Sequence, residues 1–165
     1  MLAYPRPTDY PTIVQAVQRL QGQFVLQSAV EDPTSHIFTL WFGLTLAADQ
    51  LVETGALNVH CAWRTEEAGK ILCAWQQSID RYTEPALQTL VGLQVATVTP
   101  SEYGDLHLSF TSGRTLHIWN DIPYEEGDSW LLGFPGQGEY AVASPNEFTY
   151  CPDNRQVGLT PPPAA

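Results

Sequence analysis

The 165-residue chain carries 18 acidic against 7 basic side chains, a formal net charge of −11, with 44% apolar and 15% charged residues. That length suits one well-buried domain or two small units sharing a core, and the composition excludes bulk disorder. The acidity, nine acids to five bases over 1–84 and nine to two over 85–165, disfavours direct contact with nucleic acid or an anionic membrane; a basic protein surface is the partner it attracts.

Residues 4–7 read as a Pro-stiffened lead-in without the apolar core of a signal peptide, and no stretch approaches the roughly 20 apolar residues of a membrane span. Cys61, Cys73 and Cys151 are odd in number and form no CxxC, which favours a reducing compartment. A cytoplasmic location is therefore expected. Asp9 can cap a helix with Pro11 in its first turn; Ile13, Val14, Val17 and Leu20 form one apolar stripe, and Gly22 supplies the stop. Residues 24–30 read as a strand, 31–35 as a turn and 37–46 as a long aromatic strand. Residues 56–63 and 70–75 read as two further strands around a turn at 65–69.

The plan then restarts. Thr83 and Pro85 open a short helix, Leu87, Leu90 and Val91 face inward, and Gly92 ends it. Val95 and Val98 lead to a turn at 99–105, after which Leu106, Leu108 and Phe110 alternate with His107 and Ser109, as a half-buried strand requires. Thr111-Ser112-Gly113 suits a hairpin loop that pairs Leu108 with Leu116 and His107 with His117. Residues 120–129 form an acidic loop, 130–134 a strand, 135–138 a turn and 140–143 another strand, with a flexible Pro-rich tail expected over 151–165.

Two stretches repeat. Residues 16–22 align without gaps on 86–92, an offset of 70, and a run from Leu57-Asn58-Val59 through Glu66-Glu67 to Trp75 falls on Leu116-His117-Ile118, Glu125-Glu126 and Phe134, an offset of 59. The first copy then carries about eleven extra residues near Leu44 to Thr54. The expected fold is α+β: two tandem similar units, 8–80 and 82–150, each a short helix plus antiparallel β-strands, sharing one core.

No GxSxG, HExxH, P-loop or GxGxxG motif occurs, so no catalytic residue is assigned and no cofactor is expected. His60 and Cys61 would point to opposite faces of a strand, which defeats a nucleophile–base contact. His107 and His117 face each other across a hairpin and are the residues an enzyme or metal reading would use, but a closed metal site needs further ligands, so no metal is assigned. The most suggestive stretch is 119–130, where Trp119, Asp121, Tyr124, Glu125, Glu126 and Asp128 join steering charge to aromatic anchors; these are the candidate partner-binding residues.

Residues 90–132, with Leu90-x-Gly92-x-x-Val95, Gly104-Asp105-Leu106-His107-Leu108-Ser109-Phe110, Ser112-Gly113-Arg114-Thr115-Leu116 and Asp128-Ser129-Trp130-Leu131-Leu132, resemble small bacterial domains of the immunity-protein type. Such proteins neutralise polymorphic or secreted toxins by direct binding. The resemblance implies an intracellular, non-enzymatic inhibitor of a cognate toxin, most simply one that occludes a basic nuclease cleft. A generic protein-interaction or small-ligand module is the alternative, and an enzyme using His107 and His117 a third. The first copy departs from the pattern, lacking the Ser-Gly hairpin and carrying Gly69-Lys70-Ile71 where the second has Asp128-Ser129-Trp130.

Overall fold

Asp9 accepts the Thr12 backbone N–H at 2.9 Å with Pro11 in the first turn, so the first helix begins where its cap residue dictates. The computed structural model describes residues 4–31, 36–46, 50–77 and 82–152. In chain order the elements are β1 (Arg6–Pro7), α1 (Tyr10–Gln18), β2 (Phe24–Val30), β3 (Phe38–Leu46), β4 (Gln50–Val59), β5 (Ala62–Glu67) and β6 (Lys70–Ala74). There follow α2 (Glu84–Gln88), β7 (Val95–Pro100), β8 (Leu106–Phe110), β9 (Thr115–Trp119), β10 (Trp130–Phe134), β11 (Gly138–Ala143) and β12 (Glu147–Cys151). Among the described residues the protein is mostly antiparallel β with two short α-helices, compatible with an α+β class.

The strands form a seven-stranded sheet, β1-β12-β11-β10-β4-β3-β2, and a five-stranded sheet, β6-β5-β9-β8-β7. One buried cluster takes Ile13 and Val17 from α1, Leu20 from the turn after it, Leu87 from α2, Phe38, Leu57, Trp130 and Leu132 from the larger sheet, and Trp63, Leu108, Leu116 and Ile118 from the smaller. The apolar face of each sheet is thereby covered, which is what stabilises a half-polar strand.

The ladders of the two sheets follow the same pattern. Val25 pairs with Phe42 and Val95 with Phe110; a bulge follows each, and Ser28 then pairs with Leu40 as Val98 does with Leu108. Thr39 pairs with Asn58 as His107 pairs with His117. Val59 then meets Trp130, and Ile118 meets Trp63. Where β2 and β7 approach, the bonds are reciprocal: Gly22 N–H donates to Val95 O and Gly92 N–H to Val25 O, each at 2.8 Å. The positive φ of both glycines, 83° and 90°, makes this approach possible at the end of the turn that follows each helix, four residues past Gln18 and Gln88. Gln18 Nε2 reaches Val98 O at 2.9 Å, and Gln88 Nε2 reaches Ser28 O at 3.4 Å.

Each three-stranded meander is extended by strands from the other half of the sequence: β10 joins β4, and β5 joins β9. Three expectations are corrected by this arrangement. Residues 56–63 do not form one strand; the chain leaves the larger sheet at Val59, His60 N–H donates to Ser129 O, and β5 starts in the smaller sheet. The turn expected at 65–69 shrinks to Ala68-Gly69, because Thr65 and Glu66 are held by neighbours on both sides. Glu66 and Glu67 lie in β5 whereas Glu125 and Glu126 lie in a 3-10 turn, and Trp130 corresponds in register to Trp63 rather than to Ile71.

The extra residues of the first half lengthen the β3–β4 hairpin, as Gly43 paired with Glu53 and Leu44 with Val52 show. β1 and β12 are elements the sequence reading did not separate. Cys151, where the tail was expected to begin, is buried in β12; residues 153–165 and the middle of the turn at 31–35 lie outside the described residues.

Candidate functional site

The loop between β9 and β10 is acidic yet tightly held. Asn120 N–H donates to Asp105 Oδ1 at 2.8 Å, and Asn120 Nδ2 bonds the carbonyls of Tyr103 and Ala143 at 2.7 and 3.0 Å. Asp121 Oδ1 accepts the Ala62 N–H at 3.3 Å, and the fully buried Ser129 Oγ accepts the Ile122 N–H at 3.1 Å. Tyr124 N–H donates to Ser144 O, and Ser144 N–H to Ile122 O, pinning the loop to the end of β11. The 3-10 turn Tyr124–Glu126 thus presents three exposed side chains from a fixed backbone.

The predicted set divides. Trp119 turns onto the non-core face of the five-stranded sheet, its ring stacked 5.7 Å from His117 and capped by the Arg64 guanidinium 5.0 Å from its centroid. Asp121 is committed to Ala62. Tyr124 and Asp128 come together at a cavity on the larger sheet, and Glu125 and Glu126 stand on the adjoining turn.

That cavity has a volume of about 170 Å³ and is lined by Pro5, Tyr124, Asp128, Leu131, Glu139, Ala141, Thr149 and Cys151. Leu131, Ala141 and Thr149 are cross-strand neighbours, as are Gly133, Glu139 and Cys151, so β10, β11 and β12 together make its floor. Glu139 is only 2% exposed, and its Oε2 has no hydrogen-bond partner among the described residues. Burial, reinforced by the Asp128 carboxylate, pushes its pKa up to about 8. Asp128 is also raised by burial, an effect opposed by His60, whose own pKa is lowered by burial against the pull of Glu31 and Asp128. Gly138 starts β11 with φ of 112°, and a Cβ there would lie 2.5 Å from Cys151 O; only glycine lets the two strands close beneath Glu139.

A second polar surface lies on the five-stranded sheet. The rings of His107 and His117 stack at 4.2 Å and 9°, and His117 Nε2 is 2.6 Å from Glu66 Oε2. Parallel stacking prevents the two imidazoles from converging on one ion, and no group of three metal-ligating side chains occurs among the described residues. Burial and the His117 ring lower the His107 pKa, with Glu66 opposing. His107 Nε2 is buried without a hydrogen-bond partner among the described residues, in a groove of about 280 Å³ that also includes Asp105 and Trp119. Burial likewise raises the pKa of the Cys61 and Cys73 thiols, leaving each a poor nucleophile.

Sequence reasoning missed Glu139. It falls between the turn expected at 135–138 and the strand expected at 140–143, whereas β11 begins at Gly138, and nothing local signals that Pro5, Tyr124 and Asp128 line a cavity with it. No family model, curated protein or solved structure matches the chain. Among the described residues no helix is long and apolar enough to cross a membrane.

Proposed function

We propose that the protein is an acidic, cytoplasmic, non-enzymatic binding protein of immunity type, which neutralises a toxin by occluding a basic surface such as a nuclease cleft. The observation that carries this reading is the fixed 3-10 turn that exposes Tyr124, Glu125 and Glu126 beside Asp128. Its backbone hydrogen bonds mean that little ordering entropy is lost on binding. A nuclease cleft gathers Lys and Arg for phosphate, so these carboxylates compete for the same field. The net charge of −11 raises the association rate, while the Tyr124 ring, 57% exposed, supplies the apolar anchor that slows release.

The partner surface centres on Tyr124, Glu125, Glu126 and Asp128. Trp119 and Asp121 have other neighbours and are assigned lesser parts. The test is association of the protein with the product of the neighbouring gene, at low and high salt. Changing Glu125, Glu126 and Asp128 together to Lys should slow association and reduce its salt dependence, and Tyr124→Ala should speed dissociation, costing about 2 kcal/mol or more if it is a hot spot. Wild-type rates in both variants would remove this loop from the interface.

We also infer that 8–80 and 82–150 are two similar units that have exchanged strands. The reciprocal Gly22–Val95 and Gly92–Val25 bonds and the matching ladder registers support this, with β5–β6 and β10–β12 as the exchanged parts.

A further inference from the structure

A carboxylate shut away from water without a partner is costly, and proteins keep one only protonated or paired. Glu139 lies on the floor of a cavity whose walls combine a second carboxylate with apolar surface from Pro5, Leu131 and Ala141 and an aromatic ring at Tyr124. At about 170 Å³ the space exceeds the roughly 30 Å³ share of a water several-fold and falls below the roughly 300 Å³ at which drug-sized ligand pockets begin. A compact occupant with a cationic head and a short apolar stem matches every part of it. The head would meet Glu139 and Asp128, the stem would lie along Leu131 and Ala141, and Tyr124 adds an aromatic wall of the kind that attracts a cation.

We propose that this cavity is a receptor for a single organic cation, an alkylammonium or guanidinium group, neutralised by Glu139 and Asp128. Two sources carry that chemistry: a Lys or Arg side chain of a protein partner, or a free small amine. The choice of a side chain rests on the inhibitor reading above; the chemistry of the cavity does not. A metal ion fits less well, because Asp128, Glu139 and Cys151 do not form a converging three-ligand group.

Binding is coupled to a proton. The titratable groups facing the cavity are Asp128 and Tyr124 from the loop and Cys151 from β12, with His60 acting on Asp128 and Glu31 on His60. With Glu139 protonated near neutrality, an entering cation must displace its proton, so affinity rises with pH until Glu139 is ionised in the free protein.

The experiment titrates the whole chain with n-butylguanidinium, n-butylammonium and neutral n-pentanol, following backbone amide shifts between about pH 6 and about pH 9. The expected result is saturable binding of both cations and not of the alcohol, with affinity rising up to about tenfold per pH unit below the Glu139 pKa. Shifts should centre on Glu139, Asp128 and Tyr124. Glu139→Gln, which keeps the shape, should weaken binding at least about tenfold and flatten the pH dependence, and Asp128→Asn should weaken it while leaving a pH dependence. Absence of saturation above the Glu139 pKa, equal binding of n-pentanol, or unchanged affinity in Glu139→Gln would overturn the proposal.

Nα-acetyl-lysine methylamide separates the two sources. Binding as tight as that of n-butylammonium identifies a protein side chain as admissible; binding of the free amine alone identifies a small-molecule occupant. Changing Glu125 and Glu126 to Lys leaves the probes bound while slowing partner association if both readings hold. Loss of the inhibitor reading therefore appears as unaltered partner association with the cavity still occupied.

Discussion

Glu139 shows how a single carboxyl takes its character from its surroundings. On an exposed strand it would ionise as any glutamate does; beneath Tyr124 and beside Asp128 its pKa rises to about 8. A carboxyl whose folded pKa lies above its unfolded value favours folding in its protonated form. That contribution is complete below the unfolded pKa of about 4.5 and is lost as pH rises through about 8. Glu139→Gln removes the dependence, because the amide stays neutral. Relative to wild type the variant should gain several degrees of Tm above about pH 8 and little or nothing near pH 4.5. Thermal melts across that window check it; parallel Tm curves for the two proteins would mean that Glu139 does not titrate as a buried acid.

At the scale of elements, β5 and β10 each set a buried Trp in register against the last strand of a three-stranded meander, Trp63 opposite Ile118 and Trp130 opposite Val59. Trp63 is fully buried and donates Nε1–H to His36 O at 3.2 Å; Trp130 is fully buried and donates to Gly104 O at 2.8 Å. Each ties the strand that has crossed between sheets to the loop preceding β3 or β8. Replacing either Trp by Phe leaves a carbonyl without its donor and a gap in the core, at a cost of about 2–4 kcal/mol. Urea midpoints should fall by comparable amounts in the two variants. A large loss in one and none in the other would count against equivalence of the two strands. The hairpin that pairs His107 with His117 was legible from alternation and a Ser-Gly turn, because both signals are local. The crossing at His60-Cys61 was not, because a two-residue break between apolar strands looks like one continuous strand until the neighbours are known.

For the whole molecule, one core cluster draws on both helices and both sheets, and strands from each half complete the sheet of the other. Neither half alone closes its apolar surface. Expressed separately, 1–81 and 82–165 should each give poorly dispersed NMR spectra, and mixing them should restore the spectrum of the intact chain. Independent folding of either half would contradict the exchange of strands. The same arrangement places the acidic turn and the cavity next to each other, since the loop that carries the chain from β9 into the larger sheet is also the rim of the site.

Local pattern alone determined the Asp9-capped start of α1, the β8–β9 register and the acidic loop, for these depend on periodicity, capping and turn chemistry within a few residues; the helices themselves end at Gln18 and Gln88, four residues before the glycines the sequence offers as their stops. Tertiary structure decided which sheet each strand joins, that Trp119 leaves the loop's surface for a stack with His117, and that Tyr124 and Asp128 meet Glu139. Those outcomes depend on contacts between residues far apart in the chain. Glu139 and Pro5 line one cavity although they stand at opposite ends of the sequence, and only the pairing of β1 with β12 and of β12 with β11 brings them together.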